Sequence, residues 1–284
     1  MNRLFALRLR LSAQRLNFSA KDCTSWSLIA LMMFGGMLRA RADAMPVRFV
    51  QGSFHGFLEL RSEGGVVVAS GDSLQFVHGD RITAETIFHF KDGSVDDETT
   101  VYTQHRTFHL ISDRHVQKGP SFPHPMDVLI DAGSGMVTTR ETDKDGKVKV
   151  SSDHMTLPPD LANGLIPVVV ENMRPAELGT TVSMVVMTPK PRVVKLVITN
   201  LGEENCSVVE VASKASHYEI KIELGGVIGV IAPLVGKAPP NIEVWVIRGL
   251  APTFAREQGP MYAEGPVMNI YLASPVWPVR KAGD

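Results

Sequence analysis

Turn chemistry recurs along this chain at the spacing of a β meander. Gly64-Gly65, Gly71-Asp72, Gly79-Asp80 and Asp92-Gly93 separate short runs rich in β-branched and aromatic residues. Two-residue Gly/Asp clusters supply the positive φ that tight hairpins need, and intervals of about 8–12 residues set the strand length. The expected strands are Phe54 to Leu60, Val66 to Ala69, Ser73 to Val77, Arg81 to Phe90, Thr99 to Ile111, Met126 to Asp131, Met136 to Thr142 and Lys147 to Ser151. After a break the pattern resumes with Thr180 to Met187, Arg192 to Leu201, Val208 to Val211, His217 to Leu224, Val227 to Ile231, Ile242 to Ile247 and Val267 to Ala273. Between the two series the period changes. Pro158-Pro159-Asp160 opens a stretch in which Leu161, Leu165, Val168, Val169 and Met173 would share one helical face, so one helix is expected near 159–173, kinked or split at Pro167. A chain this rich in strands must roll its sheet to limit exposed edges. The expected fold is therefore all-β and mainly antiparallel, a strongly curved sheet or half-barrel, with the helix packed in its concave face.

The N-terminus carries a different signal. Trp26 to Leu38 is an apolar run of 13 residues, preceded by Arg3, Arg8, Arg10, Arg15 and Lys21 and followed by Ala42-Asp43-Ala44. A basic region, a short apolar region and a small-x-small site together read as a secretory signal peptide, too short to span a bilayer comfortably. Residues 1–44 are expected to be the signal peptide and 45–284 a single antiparallel β domain in the periplasm or outer envelope. Arg39 and Arg41 resist translocation and are the contrary sign. Of 29 basic and 30 acidic residues, seven and two lie in this leader; the remaining 22 against 28 argue against nucleic-acid binding. Cys206 is the only cysteine after the leader, so no internal disulfide is available and an apolar core must hold the fold.

Catalytic and metal signatures are sparse. Gly225 to Lys237 lacks the spacing of a phosphate-binding loop, because Ile231 and Ala238 stand where Gly and Ser/Thr are required. His105 and His109 on one strand would lie about 13 Å apart, too far for one zinc ion. Ser134 lies in an Asp131-led turn and lacks a strand-to-helix frame. The acidic Asp96-Asp97-Glu98 reads as a solvated hairpin end rather than a calcium site. No cofactor and no metal site is expected.

The Gly225–Lys237 stretch combines loose backbone with apolar side chains. It reads either as a buried strand and turn or as a mobile flap at the rim of a cavity, able to touch a membrane. In the second reading Gly226, Gly229, Pro233, Gly236 and Lys237 bind ligand, joined by His217 and Lys221 from the row His217, Glu219, Lys221 that faces away from Tyr218 and Ile220.

Several stretches resemble a set of uncharacterised exported bacterial proteins: Lys91-Asp-Gly-Ser with Glu98-Thr-Thr, Gly119-Pro-Ser-Phe-Pro123, Pro158-Pro-Asp-Leu-Ala-Asn-Gly164, Pro191-Arg-Val-Val-Lys-Leu196 and Ala232-Pro-Leu-Val-Gly-Lys237. The strand–helix–strand layout is in turn similar to the periplasmic lipoprotein-localisation factors, whose curved sheet wraps helices around a cavity for acyl chains. That resemblance implies a non-catalytic protein binding an apolar or amphipathic, lipid-like envelope molecule. The alternatives are an envelope hydrolase with a site near Arg192, Lys195, His217 and Lys237, and an assembly partner working through an exposed sheet edge.

Overall fold

The computed structural model describes residues 45–142, 145–187, 190–208, 211–223 and 240–274. Gly226, Gly229, Pro233, Gly236 and Lys237 lie outside them, as do the leader and the Val227–Ile231 strand. Fourteen strands and one helix form among the described residues: β1 Phe54–Ser62, β2 Val67–His78, β3 Arg81–Phe90, β4 Val95–Gln104, β5 Phe108–Lys118, β6 Met126–Asp131, β7 Met136–Thr142, β8 Val148–His154, α1 Ile166–Asn172, β9 Gly179–Val186, β10 Arg192–Val208, β11 Val211–Glu223, β12 Ile242–Ile247, β13 Thr253–Pro260 and β14 Val267–Ala273.

All neighbours in the sheet are antiparallel, in the order β8-β7-β6-β5-β4-β3-β2-β1-β14-β13-β12-β11-β10-β9. Two meanders, β1–β8 and β9–β14, are therefore joined by the first strand pairing with the last, Phe57 opposite Ala273 through Ser62 opposite Met268. The curved sheet stays open between β8 and β9. The β9 edge is shielded by the segment ahead of α1. Leu161 bridges Ser183 in parallel, and Asn163 exchanges hydrogen bonds with the Val185 backbone. Among the described residues the β8 edge has no such cover: Val148 and Val150 are exposed, and Lys149 on the strand is a charge of the kind that discourages edge pairing.

Glycine and β-bulges decide which residues face inward. Gly71 was expected to make a turn, but β2 runs straight through it. A Cβ there would meet the Ile87 carbonyl at 2.5 Å and the Phe88 ring at 2.6 Å, so the glycine makes room for Phe88 in the core. The expected strand Thr99 to Ile111 is two strands, with a turn at 105–107 that carries neither Gly nor Pro. His105 sits exposed in that turn and His109 on β5 bonds Thr107 Oγ1 at 2.6 Å, so the two imidazoles do not share a strand. A bulge where Val101/Tyr102 face Ser112/Leu110 lets both Leu110 and Asp113 point inward. A second bulge, between Trp245/Val246 and Arg256/Phe254, leaves Phe254 and Glu257 inside and turns Arg256 outward beside Trp245.

The helix is shorter than the periodicity implied, and its position is the expected one. Pro167 lies in the first turn of α1, where its missing N–H costs nothing, so it starts the helix instead of kinking it. Gly164, at φ +64°, turns the chain into the helix. A Cβ at that position would run into Thr100 and Asp113. Leu161, Leu165, Val168, Val169, Val170 and Met173 are buried among Ile82, Tyr102, Val182, Leu196, Ile198, Tyr218, Ile220 and Val244 from the surrounding strands.

The C-terminus of α1 is held by groups from elsewhere in the chain. Arg248, just after β12, donates to the Glu171 carbonyl at 3.0 Å and the Val170 carbonyl at 3.1 Å, and also to the Tyr218 hydroxyl. A cation at this end complements the helix dipole, satisfies the Glu171 carbonyl and adds a second donor to that of Val170, which Met173 N also bonds at 3.3 Å. Asn172, fully buried, accepts from Arg48 N at 2.9 Å and Phe49 N at 2.8 Å. Arg248→Met should keep the aliphatic packing and lose these charge-assisted bonds, lowering stability by about 2–4 kcal/mol. Urea unfolding of the variant beside wild type measures this; an unchanged midpoint would mean that the cap is idle.

Candidate functional site

The interior of the rolled sheet is not uniformly apolar. One core cluster surrounds α1. A second, formed by Leu58, Leu60, Ala69, Phe88, Phe90 and Phe122, lies toward the other end of the same strands. The strand registers place a polar belt between them. Gly56 pairs with Ser73, Ser73 with Thr86, Thr86 with Glu98, and Glu98 with His115. Ala84 and Tyr102 on one side and Phe88 on the other share its inward face. Beside it run the inward pairs Asp96–Gln117 and Thr100–Asp113. Glu257 reaches the belt from β13, close enough for its charge to act on Glu98.

Most belt residues are committed to one another. His115 Nε2 lies 3.2 Å from Asp96 Oδ1, Gln117 donates to Asp96 Oδ2 at 2.6 Å and to the Met261 carbonyl at 2.8 Å, and Thr100 Oγ1 donates to Asp113 at 2.8 Å. Gly56, Ser73, Thr86, Glu98, His115 and Glu257 nevertheless stay half-buried. These inward-facing groups thus keep partial exposure between the two apolar clusters. Asp96 and Glu98 do follow the β3–β4 turn, at the start of β4, but they are not solvated as expected: both side chains turn inward, and Asp96 is buried.

This environment shifts protonation. Burial, then the charge of Glu98, raises the Asp113 carboxyl to about 7. Burial likewise raises Glu257 to about 7 and pushes Glu98 up, the latter with help from the Asp96 and Glu257 charges. Burial works against a charge on His115, but the Asp96 bond and the Glu98, Asp96 and Asp113 charges outweigh it and carry the imidazole up to about 9. The belt thus holds a cationic imidazole and carboxyls able to be neutral donors or ionised acceptors near pH 7.

The remaining sequence-derived candidates fall elsewhere. Tyr218 and Ile220 point into the core and His217, Glu219 and Lys221 to the outer face. Lys221 pairs with Glu219 at 2.6 Å. His217 is buried on that face, stacked on Trp245 at 4.3 Å between Glu204 and Glu243. Lys195 bonds Asp160 at 2.9 Å and Ser183 Oγ at 2.7 Å. A Lys–Ser contact of that length resembles a hydrolase dyad, but Ser183 has no exposed surface and donates to Asp160 at 2.8 Å, which makes the trio a clamp for the β9 edge. Lys195 faces Glu223 and Gly202 faces His217 across β10–β11, so Lys195 and His217 stand about 20 Å apart along the strands. Arg192, at the start of β10, is farther still from His217. Among the described residues no group of three or more His, Cys, Asp or Glu side chains is arranged to hold a metal ion, and no helix is long and apolar enough to cross a membrane.

The chain matches no known family and resembles no characterised protein in sequence. Among solved structures it is similar to a β-barrel-like protein of the domain of unknown function DUF1849 from Brucella abortus, with 8% identity over 80% of this chain and 98% of that one, at a TM-score of 0.44.

Proposed function

We propose that this is an exported, non-catalytic protein that binds an amphipathic, lipid-like molecule inside its curved sheet. The observation that carries the reading is the half-buried polar belt of Ser73, Thr86, Glu98, His115 and Glu257 set between apolar walls. An apolar tail against Leu58, Leu60, Ile270 and Leu272 would gain about 25 cal/mol for each Å² removed from water. A polar head at the belt would replace the water that solvates those carboxyls, and their adjustable protonation accepts either a donor or an acceptor. Gly226, Gly229, Pro233, Gly236 and Lys237, outside the described residues, are retained in this reading as ligand contacts on the strength of the sequence alone.

Thr86→Phe tests the reading, because it fills the belt without adding charge. A fluorescent acyl probe should bind wild type, and the variant should lose at least about tenfold in affinity with its melting temperature within a few degrees. Wild type that binds no such probe, or a variant that binds it equally well, sinks the proposal.

A second reading uses the same groups. Inward carboxyls with pKa values near 7, Glu257 partly exposed and Asp113 buried, are suited to general acid–base work on envelope material. Glu98→Gln separates the two. A carrier keeps most of its affinity for neutral amphiphiles, whereas an enzyme loses turnover with binding intact.

A further inference from the structure

A separate cavity of about 280 Å³ opens on the outer face, lined by Glu204, Asn205, Cys206, Ser207, Trp245, Ala255, Arg256 and Tyr271. The fold builds it from two irregularities. Gly202, at φ +107° in the β10–β11 bulge, redirects the far half of that hairpin so that Cys206 and Val208 pack against Ala215, Trp245 and Ala255. The β13 bulge aims Arg256 at the same place.

Opposite charges line this cavity without neutralising each other. Arg256 lies over the Trp245 ring at 4.5 Å from its centroid and the Tyr271 ring at 5.3 Å. Its Nη2 donates to Gln258 and Asn269, both at 2.7 Å and both uncharged. Its buried Nε has no partner, and among the described residues no carboxylate comes within ion-pairing distance of the guanidinium. Glu204 is anchored by Trp245 Nε1 at 3.1 Å and His217 at 2.9 Å, yet its side chain is 52% exposed. Its carboxyl lies below the usual range, chiefly through the Trp245 and His217 bonds, with the Arg256 charge contributing. Two fixed charges of opposite sign, close enough to feel each other and held short of contact, are complementary to a dipolar ligand. The volume falls just under the ~300–1,000 Å³ typical of pockets for drug-sized molecules, which sets the scale at a small metabolite. Ala255, Cys206 and the two aromatic rings supply apolar wall.

We propose that this cavity binds a small zwitterion, a free α-amino acid with an apolar side chain, with its carboxylate on Arg256, its ammonium on Glu204 and its side chain against Trp245, Ala255 and Tyr271. The site is independent of the interior belt. A neutral or singly charged ligand would forgo at least one of the two charge-assisted contacts, and that difference gives the site its selectivity.

Titration calorimetry of the whole protein with L-leucine and L-phenylalanine, beside leucinamide and N-acetyl-leucine, tests this directly. The zwitterions should bind, and removal of either ligand charge should weaken binding at least about tenfold. Glu204→Gln keeps an oxygen acceptor for Trp245, turns its amide NH2 to His217 Nδ1 and removes the charge; it should weaken leucine by about the same factor and leave N-acetyl-leucine unaffected. Ala255→Leu fills the cavity and should abolish binding; if that variant fails to fold, the selectivity of Glu204→Gln decides. No heat with millimolar zwitterions overturns the proposal, as does equal binding of leucine and N-acetyl-leucine, or wild-type affinity in either variant.

Discussion

Leu165→Asp should lower stability by about 3 kcal/mol or more. Leu165 is buried at the N-cap of α1, among side chains from both meanders. Two effects compete there. Aspartate is a favoured N-cap, and a bond from its side chain to the first turn is worth about 1 kcal/mol. Against that stand the lost burial of the leucine side chain, about 2 kcal/mol, and a carboxyl forced into apolar surroundings, about 2 kcal/mol or more. The cost wins. For a domain of this size the midpoint should fall by roughly 10 °C. Calorimetry of the variant beside Leu165→Asn separates the terms: Asn keeps the cap without a charge and should lie between Asp and wild type. Wild-type melting of Leu165→Asp would mean that α1 leaves the core in solution.

The second large effect is on pH. Asp113, Glu257 and Glu171 have folded pKa values of about 7, raised chiefly by burial, against unfolded values near 4. An acid whose pKa is higher when folded gives stability that is complete below its unfolded value and lost as pH rises through the folded one. His115, at about 9 against 6.5, gives stability that is complete below 6.5 and lost as pH rises through 9. All four groups act in one direction. The protein should be most stable near pH 4–5 and should lose on the order of a few kcal/mol by pH 9, the carboxyls acting between about pH 4 and 7 and the imidazole between about 6.5 and 9. Melting curves across that range should show a steady fall. A maximum at pH 8 would mean that water solvates the belt fully and the carboxyls ionise at ordinary values. Asp113→Asn should flatten the acidic half of the curve.

Turn chemistry and alternation made much of the fold legible. β3, β6, β7, β12 and β14 have the bounds that residue patterns assign, and the helix lies in the concave face as expected. The misreadings trace to residues whose role depends on partners far along the chain. Gly71 has the composition of a turn, but Phe88 on the neighbouring strand is what requires it. β13 went unnoticed because Arg256, Gln258, Gly259 and Pro260 break alternation, and its bulge puts charge on both faces. The belt escaped for the same reason. Asp96, Glu98, Asp113 and His115 are ordinary hydrophilic positions until the register of β3–β5 and the Ile111 bulge turn them inward together. The outer cavity joins β10 to β14, a proximity that the Gly202 and β13 bulges create and no local pattern announces.

Where the sheet closes has a bearing on how the chain acquires its shape. The open seam falls in mid-sequence, between β8 and β9, while the first and last strands meet inside the sheet at Phe57–Ala273. Within each meander every pairing joins near neighbours and carries little loop-closure entropy. Among the described strands the β1–β14 ladder has by far the largest sequence separation and the largest closure cost, so it should form last. Until then β1 presents a bare edge to any other strand it encounters. A chain shortened by β14 should therefore collapse into its two meanders and aggregate through β1, and refolding should slow as urea weakens the one long-range ladder on which assembly waits.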